Sequence, residues 1–84
     1  MRITDLYKHE HFGNLVQITA QEGNWVEFLS KGSLFWLELP VFLRAYHYYN
    51  DGDPIEADLN GLRRIARAAN ILIPHEFNYI DIED

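Results

Sequence analysis

Three groups of side chains in this 84-residue chain have the types and spacing to do chemistry. The first is His9-Glu10-His11, with His47 and the pair His75-Glu76 further along. On an extended backbone, side chains two apart share a face. His9 and His11 can therefore reach one metal ion, with His47 or His75 as a third ligand. H-x-H is common by chance and a solvated loop explains it better, so no metal and no cofactor is assigned. The second group is Arg63, Arg64 and Arg67, a cationic face suited to phosphate or to an acidic partner. The third is aromatic: Trp25 and Trp36, joined by Tyr46, Tyr48 and Tyr49. Trp and Tyr concentrate binding energy at protein interfaces because they bury large areas and keep a polar tip. No HExxH, GxSxG or phosphate-loop pattern is present, and no nucleophile can be matched to a base. The chain therefore reads as a non-enzyme with no catalytic residue.

These groups must be held by the elements that the sequence pattern predicts. Leu34–Asn50 is the densest apolar stretch, and its period changes within it. Leu34–Leu39 reads as a strand. Pro40 then suits the first position of a helix, and Phe42, Ala45, Tyr46 and Tyr49 recur at helical spacing, which predicts a helix over Pro40–Tyr49. Upstream, Asn14–Ala20 alternates like a half-buried strand, and Trp25–Ser30 reads as a second one. Lys31-Gly32 leaves two residues between Trp25–Ser30 and the next strand, which predicts a tight hairpin. Closed symmetrically, that hairpin sets Ser30 opposite Ser33, Phe28 opposite Phe35, Glu27 opposite Trp36 and Trp25 opposite Glu38.

One sheet face then carries Val16, Ile18, Val26, Phe28, Phe35 and Leu37 as a core. The other carries two tryptophans among glutamates. Met1–Tyr7 is a first strand or a packed lead-in. Asp53-Pro54-Ile55-Glu56 has the form of a helix start, and Ile55, Leu59, Leu62, Ala66, Ala69 and Ile73 extend it as an apolar stripe, with Pro74 ending it near Leu72. Acids at the start of that helix and arginines further along complement its dipole, which accounts for the arginines without any ligand. His75–Asp84 can add a last strand. The expected fold is α+β in one domain, residues 1–84: a three-stranded antiparallel meander over Asn14–Leu39, two helices, and a short C-terminal strand.

Composition narrows the function. With 7 basic and 13 acidic residues the net charge is −6, which disfavours nucleic acid and favours a basic partner or plain solubility. With 48% hydrophobic residues and 14% aromatics, the chain has the composition of a folded protein with a thin core. It has no cysteine, so no disulfide or thiolate zinc site, which fits a reducing, cytoplasmic setting. Neither a signal-peptide pattern nor a membrane-spanning apolar run is present.

Gly13–Ile18 (G-N-x-V-x-I), Gly23–Phe28 and Leu39–Leu43 (L-P-x-F-L) together resemble small accessory proteins encoded by phages and prophages. The resemblance covers about half the chain and ends before the Asp53 helix. It implies an inhibitor of a host defence complex, anti-CRISPR-like or anti-restriction-like, that acts by binding a host protein. It carries over no site residue. The expected function is therefore a protein-binding module centred on Trp25, Glu27, Trp36 and Glu38, for a partner whose surface is rimmed by Lys or Arg. The same patch can also close a homodimer. The alternative is a nucleic-acid-associated regulator that uses Arg63, Arg64 and Arg67.

Overall fold

Lys31 and Gly32 both take positive φ, 51° and 80°. A two-residue type I′ turn demands this, and its twist matches that of the strands it joins. It closes strands β3 (Trp25–Ser30) and β4 (Ser33–Glu38) in the expected register, with Trp25 opposite Glu38, Glu27 opposite Trp36 and Phe28 opposite Phe35. The structure is a computed structural model that describes residues 1–79.

The fold is α+β, but the sheet is larger than a three-stranded meander. Strands β1 (Leu6–His9) and β2 (Leu15–Glu22) precede the hairpin, and β5 (Tyr46–Asn50) follows helix α1 (Leu39–Ala45). All pairings are antiparallel, in the order β4-β3-β2-β1-β5. Helix α2 (Leu59–Ala68) comes last among the described elements.

Three expectations are corrected here. The helix predicted over Pro40–Tyr49 stops at Ala45, and Tyr46–Asn50 turns extended and pairs with β1. Tyr-His-Tyr-Tyr suits a pleated surface, and the edge of β1 gives its backbone a partner that a longer helix would not use. The helical spacing of Phe42 and Tyr46 still has a consequence, because their rings stack at 4.7 Å across the helix–strand joint.

The second helix is also shorter than Asp53–Leu72. It starts at Asp58, whose carboxylate accepts the Gly61 N–H at 3.0 Å. Asp53 instead lies in a segment crossing the sheet, where the Gln17 amide donates to the carbonyls of Thr4 (3.1 Å) and Asp53 (2.7 Å). Gly52 makes that crossing possible, since a Cβ there would lie 2.2 Å from the Thr4 carbonyl oxygen. The helix ends well before Pro74. Asn70 takes φ 63°, and the N–H groups of Asn70 and Ile71 bond the carbonyls of Arg67 and Ala66, which is a Schellman cap. The C-terminal strand does not form through Tyr79, and the rest of it, 80–84, lies outside the described residues.

The first face of the sheet holds the core: Tyr7, Val16, Ile18, Val26 and Phe28, sealed by Phe42 of α1, which is fully buried. Burying a side chain of that size is worth roughly 1.5–3 kcal/mol. Phe35 stacks on Phe28 at 5.7 Å yet is 47% exposed, so it borders this core rather than belonging to it. A bulge between Ile18 and Ala20 departs from strict alternation in β2 and brings Ala20 opposite Glu27.

Candidate functional site

Strand alternation and the type I′ turn place Trp25, Glu27, Trp36 and Glu38 on the second sheet face, as the sequence predicts. That face is not open throughout. Helix α2 lays Leu59, Leu62 and the buried Ala66 toward the sheet, and the segment after it returns with Phe77 buried and Tyr79 half-buried. The four residues consequently meet different surroundings.

Glu27 is fully buried. Its Oε1 accepts from Thr19 Oγ1 at 2.7 Å and from Arg63 Nη2 at 2.6 Å, while Oε2 accepts from Arg63 Nε at 3.1 Å and from the Tyr79 hydroxyl. Arg63 thus grips the carboxylate as a fork, and its guanidinium stacks over the Tyr79 ring at 4.2 Å. Trp36 Nε1 donates to the Tyr79 oxygen at 3.4 Å, and Arg63 Nη1 donates to Asn60 Oδ1 at 3.2 Å. Burial, and then its hydrogen bond to Glu27, push the Tyr79 hydroxyl well above the ordinary phenol range. A carboxylate taken out of water is tolerable only with such a complete set of donors.

The cluster therefore fastens β2, β3, α2 and the segment ending at Tyr79 to one another. Glu27 does not face a partner, and Arg63 points into the sheet rather than out of it, which corrects both assignments. The bulge in β2 coincides with Thr19, which has turned its hydroxyl onto Glu27. Sequence reading did not find Thr19 or Tyr79. A carboxylate in the middle of β3, opposite Trp36 and between the apolar Val26 and Phe28, was the available signal for a buried pair.

Trp25 and Trp36 are half-buried. With Leu72, Ile73, Pro74, His75 and Glu76 they line an open groove of about 450 Å³. Leu72 on its rim is 89% exposed. Glu38 is exposed at the end of β4, and Arg64 and Arg67 are exposed on α2.

The histidines divide as well. His9 Nδ1 accepts the N–H groups of His11 (3.1 Å) and Phe12 (3.2 Å), so it caps the turn after β1. His47 Nε2 meets Glu10 Oε1 at 2.9 Å, and His11 Nε2 lies 3.6 Å from the other Glu10 oxygen. The hydrogen bond from His47, helped by the neighbouring imidazoles, holds the Glu10 carboxyl below its ordinary range. His75 lies elsewhere, 3.4 Å from Glu76. Among the described residues no group of three or more His, Asp or Glu is placed to hold a metal ion.

Set against protein-family models, curated proteins and solved structures, the chain has no match in any of the three.

Proposed function

We propose that the protein is a non-enzymatic protein-binding module and that the groove between Trp25, Trp36 and the Leu72–Glu76 segment receives its partner. The observation that carries this reading is the pairing of two half-buried tryptophans with an exposed leucine across an open groove. Half-buried aromatic rings give up little side-chain freedom on binding and exclude water from a large contact. Glu38 and Glu76 lie near the rim, and the net charge of −6 steers a cationic surface toward it. The partner is accordingly a protein with an apolar projection flanked by Lys or Arg. The finer form of this reading is a phage-type inhibitor of a host defence complex. It rests on the resemblance of the Gly13–Leu43 half together with small size and acidity.

Thr19 and Glu27 do not support an enzyme reading, since a hydroxyl and a carboxylate so deeply buried cannot meet a substrate. The nucleic-acid reading is weakened because Arg63 is already engaged by Glu27, leaving a narrower cationic face.

The test is capture from cell lysates by immobilised protein, with Trp25→Ala and Leu72→Asp beside the wild type. The expected result is a protein retained by the wild type and lost by both variants, with the thermal midpoint of Leu72→Asp unchanged. Retention that neither variant affects would sink the groove assignment. A steeply salt-dependent mobility shift with DNA or RNA, abolished by Arg64→Ala with Arg67→Ala, would favour the nucleic-acid alternative.

A further inference from the structure

The sheet ends on two edges, and they are guarded differently. The edge formed by β5 is interrupted by a bulge at Tyr49, where the pairing with β1 shifts register. Bulges of this kind discourage another chain from adding to a sheet. The edge formed by β4 has no such device. Its register with β3 is unbroken over all six residues, and Ser33–Leu37 contains no charge, no proline and no glycine.

The turn determines which groups of β4 face outward. Ser30 and Ser33 flank it as a hydrogen-bonded pair, and such pairs alternate along an antiparallel ladder. Phe35 and Leu37 therefore bond inward to β3. The bond from Leu39 N–H to the Asn24 carbonyl, at 2.8 Å, continues the same alternation. The N–H and C=O groups of Leu34 and Trp36 are left pointing away from the sheet. Among the described residues, no further backbone hydrogen bond reaches either of them. Phe35 is 47% exposed beside this edge.

We infer that β4 pairs with β4 of a second copy, antiparallel about a twofold axis at Phe35, to give one continuous sheet across a homodimer. Three features select this register. Leu34 and Trp36 become a hydrogen-bonded pair across the axis, once in each direction, so the outward groups of both strands are satisfied together. Phe35 faces Phe35 of the second copy, bringing two exposed rings into contact. Glu38 lies beside the turn of the second copy, next to its Lys31, so the charge at one end of β4 meets the opposite charge at the other. The neighbouring register centred on Trp36 would place Glu38 against Leu34 and leave both charges without this match. Trp36 and Glu38 serve both surfaces, whereas Phe35 lies on the sheet face opposite the tryptophan groove, so Phe35→Cys tests the dimer without touching the groove.

The chain has no cysteine, which makes a register test direct. In the proposed dimer the two Phe35 Cα atoms form a non-hydrogen-bonded pair about 4.5 Å apart, within the usual disulfide range of about 4.4–6.8 Å. Phe35→Cys should therefore oxidise to a covalent dimer. Ser33→Cys, which would face Leu37 of the second copy, should stay monomeric on a denaturing gel. In sedimentation velocity the wild type should sediment as a dimer, Glu38→Lys should shift it toward monomer, and Lys31→Glu combined with Glu38→Lys should restore it. A wild type that remains monomeric, or cross-linking of Ser33→Cys equal to that of Phe35→Cys, overturns the proposal.

Discussion

The two faces of the sheet are stabilised in opposite ways. Beneath α1, Tyr7, Val16, Ile18, Val26, Phe28 and Phe42 form a cluster of rings and branched chains with no ionised group. Beneath α2, the fully buried group is a carboxylate held by a guanidinium, a threonine and a tyrosine. The first face depends on contact area, so it degrades gradually as atoms are removed. The second depends on completeness. A buried ion network with every member satisfied holds its elements in one arrangement, and one with a missing member leaves an uncompensated charge. The elements it fastens, α2 and the irregular segment to Tyr79, have fewer apolar anchors of their own.

Four measurements break or sharpen this contrast, and the largest effects come first. Phe28→Ala on the dry face should lower unfolding free energy by ~3–5 kcal/mol in urea titration, because its ring contacts Phe35, Phe42 and Tyr46. A near-neutral result would remove Phe28 from the core. On the ionic face Arg63→Ala should cost a similar ~3–5 kcal/mol, since it strands Glu27 in the interior. Here the faces part company, because Glu27→Leu combined with Arg63→Met should recover most of the loss, whereas no second substitution on the dry face should rescue Phe28→Ala. If the double variant is as unstable as Arg63→Ala, the ion pair contributes more than its apolar replacement could.

Tyr79→Phe comes next, at ~1.5–3 kcal/mol, the range for a hydrogen bond to a charged acceptor. It should also alter the alkaline limb. The Tyr79 hydroxyl has its pKa raised in the folded state, so its contribution is complete below the unfolded phenol value, about 10. That contribution is lost as pH rises through the folded value. The wild type should lose stability above about pH 10, and Tyr79→Phe should lose less over the same range. Tyr7 and Tyr46, raised chiefly by burial, and Tyr48, raised chiefly by its hydrogen bond to Asp51, contribute to the slope that remains. An unchanged alkaline limb in Tyr79→Phe would contradict the bond to Glu27.

The smallest effect belongs to Glu10→Gln at the exposed His47 contact. The Glu10 carboxyl is depressed in the folded state. Its contribution is therefore present above the ordinary carboxylate value of 4.5 and lost as pH falls through the folded one. The variant should have a slightly lower thermal midpoint at neutral pH and a shallower acid limb, so that the two proteins converge as pH falls.

Local patterns determined much of this protein. The Lys31-Gly32 turn and the alternation around it specified the β3–β4 register residue by residue, because a two-residue loop admits few geometries. The apolar set Val16, Ile18, Val26 and Phe28 was legible for the same reason, and so was the α+β class. Leu59, Leu62 and Ala66 turned toward the sheet as their spacing required. Tertiary structure decided what those patterns left degenerate. Tyr46–Asn50 suits either a helix or a strand, and the open edge of β1 selected the strand. The cap pattern pointed to Asp53, but Gln17 holds that residue in the sheet crossing and Asp58 caps the helix instead. Alternation placed Glu27 on the second face, but its role depended on the distant residues Arg63 and Tyr79, which come to it only when α2 folds back. Whether a charge is exposed or buried is set by what packs over it, and that information lies in long-range contacts rather than in the spacing of neighbours along the chain.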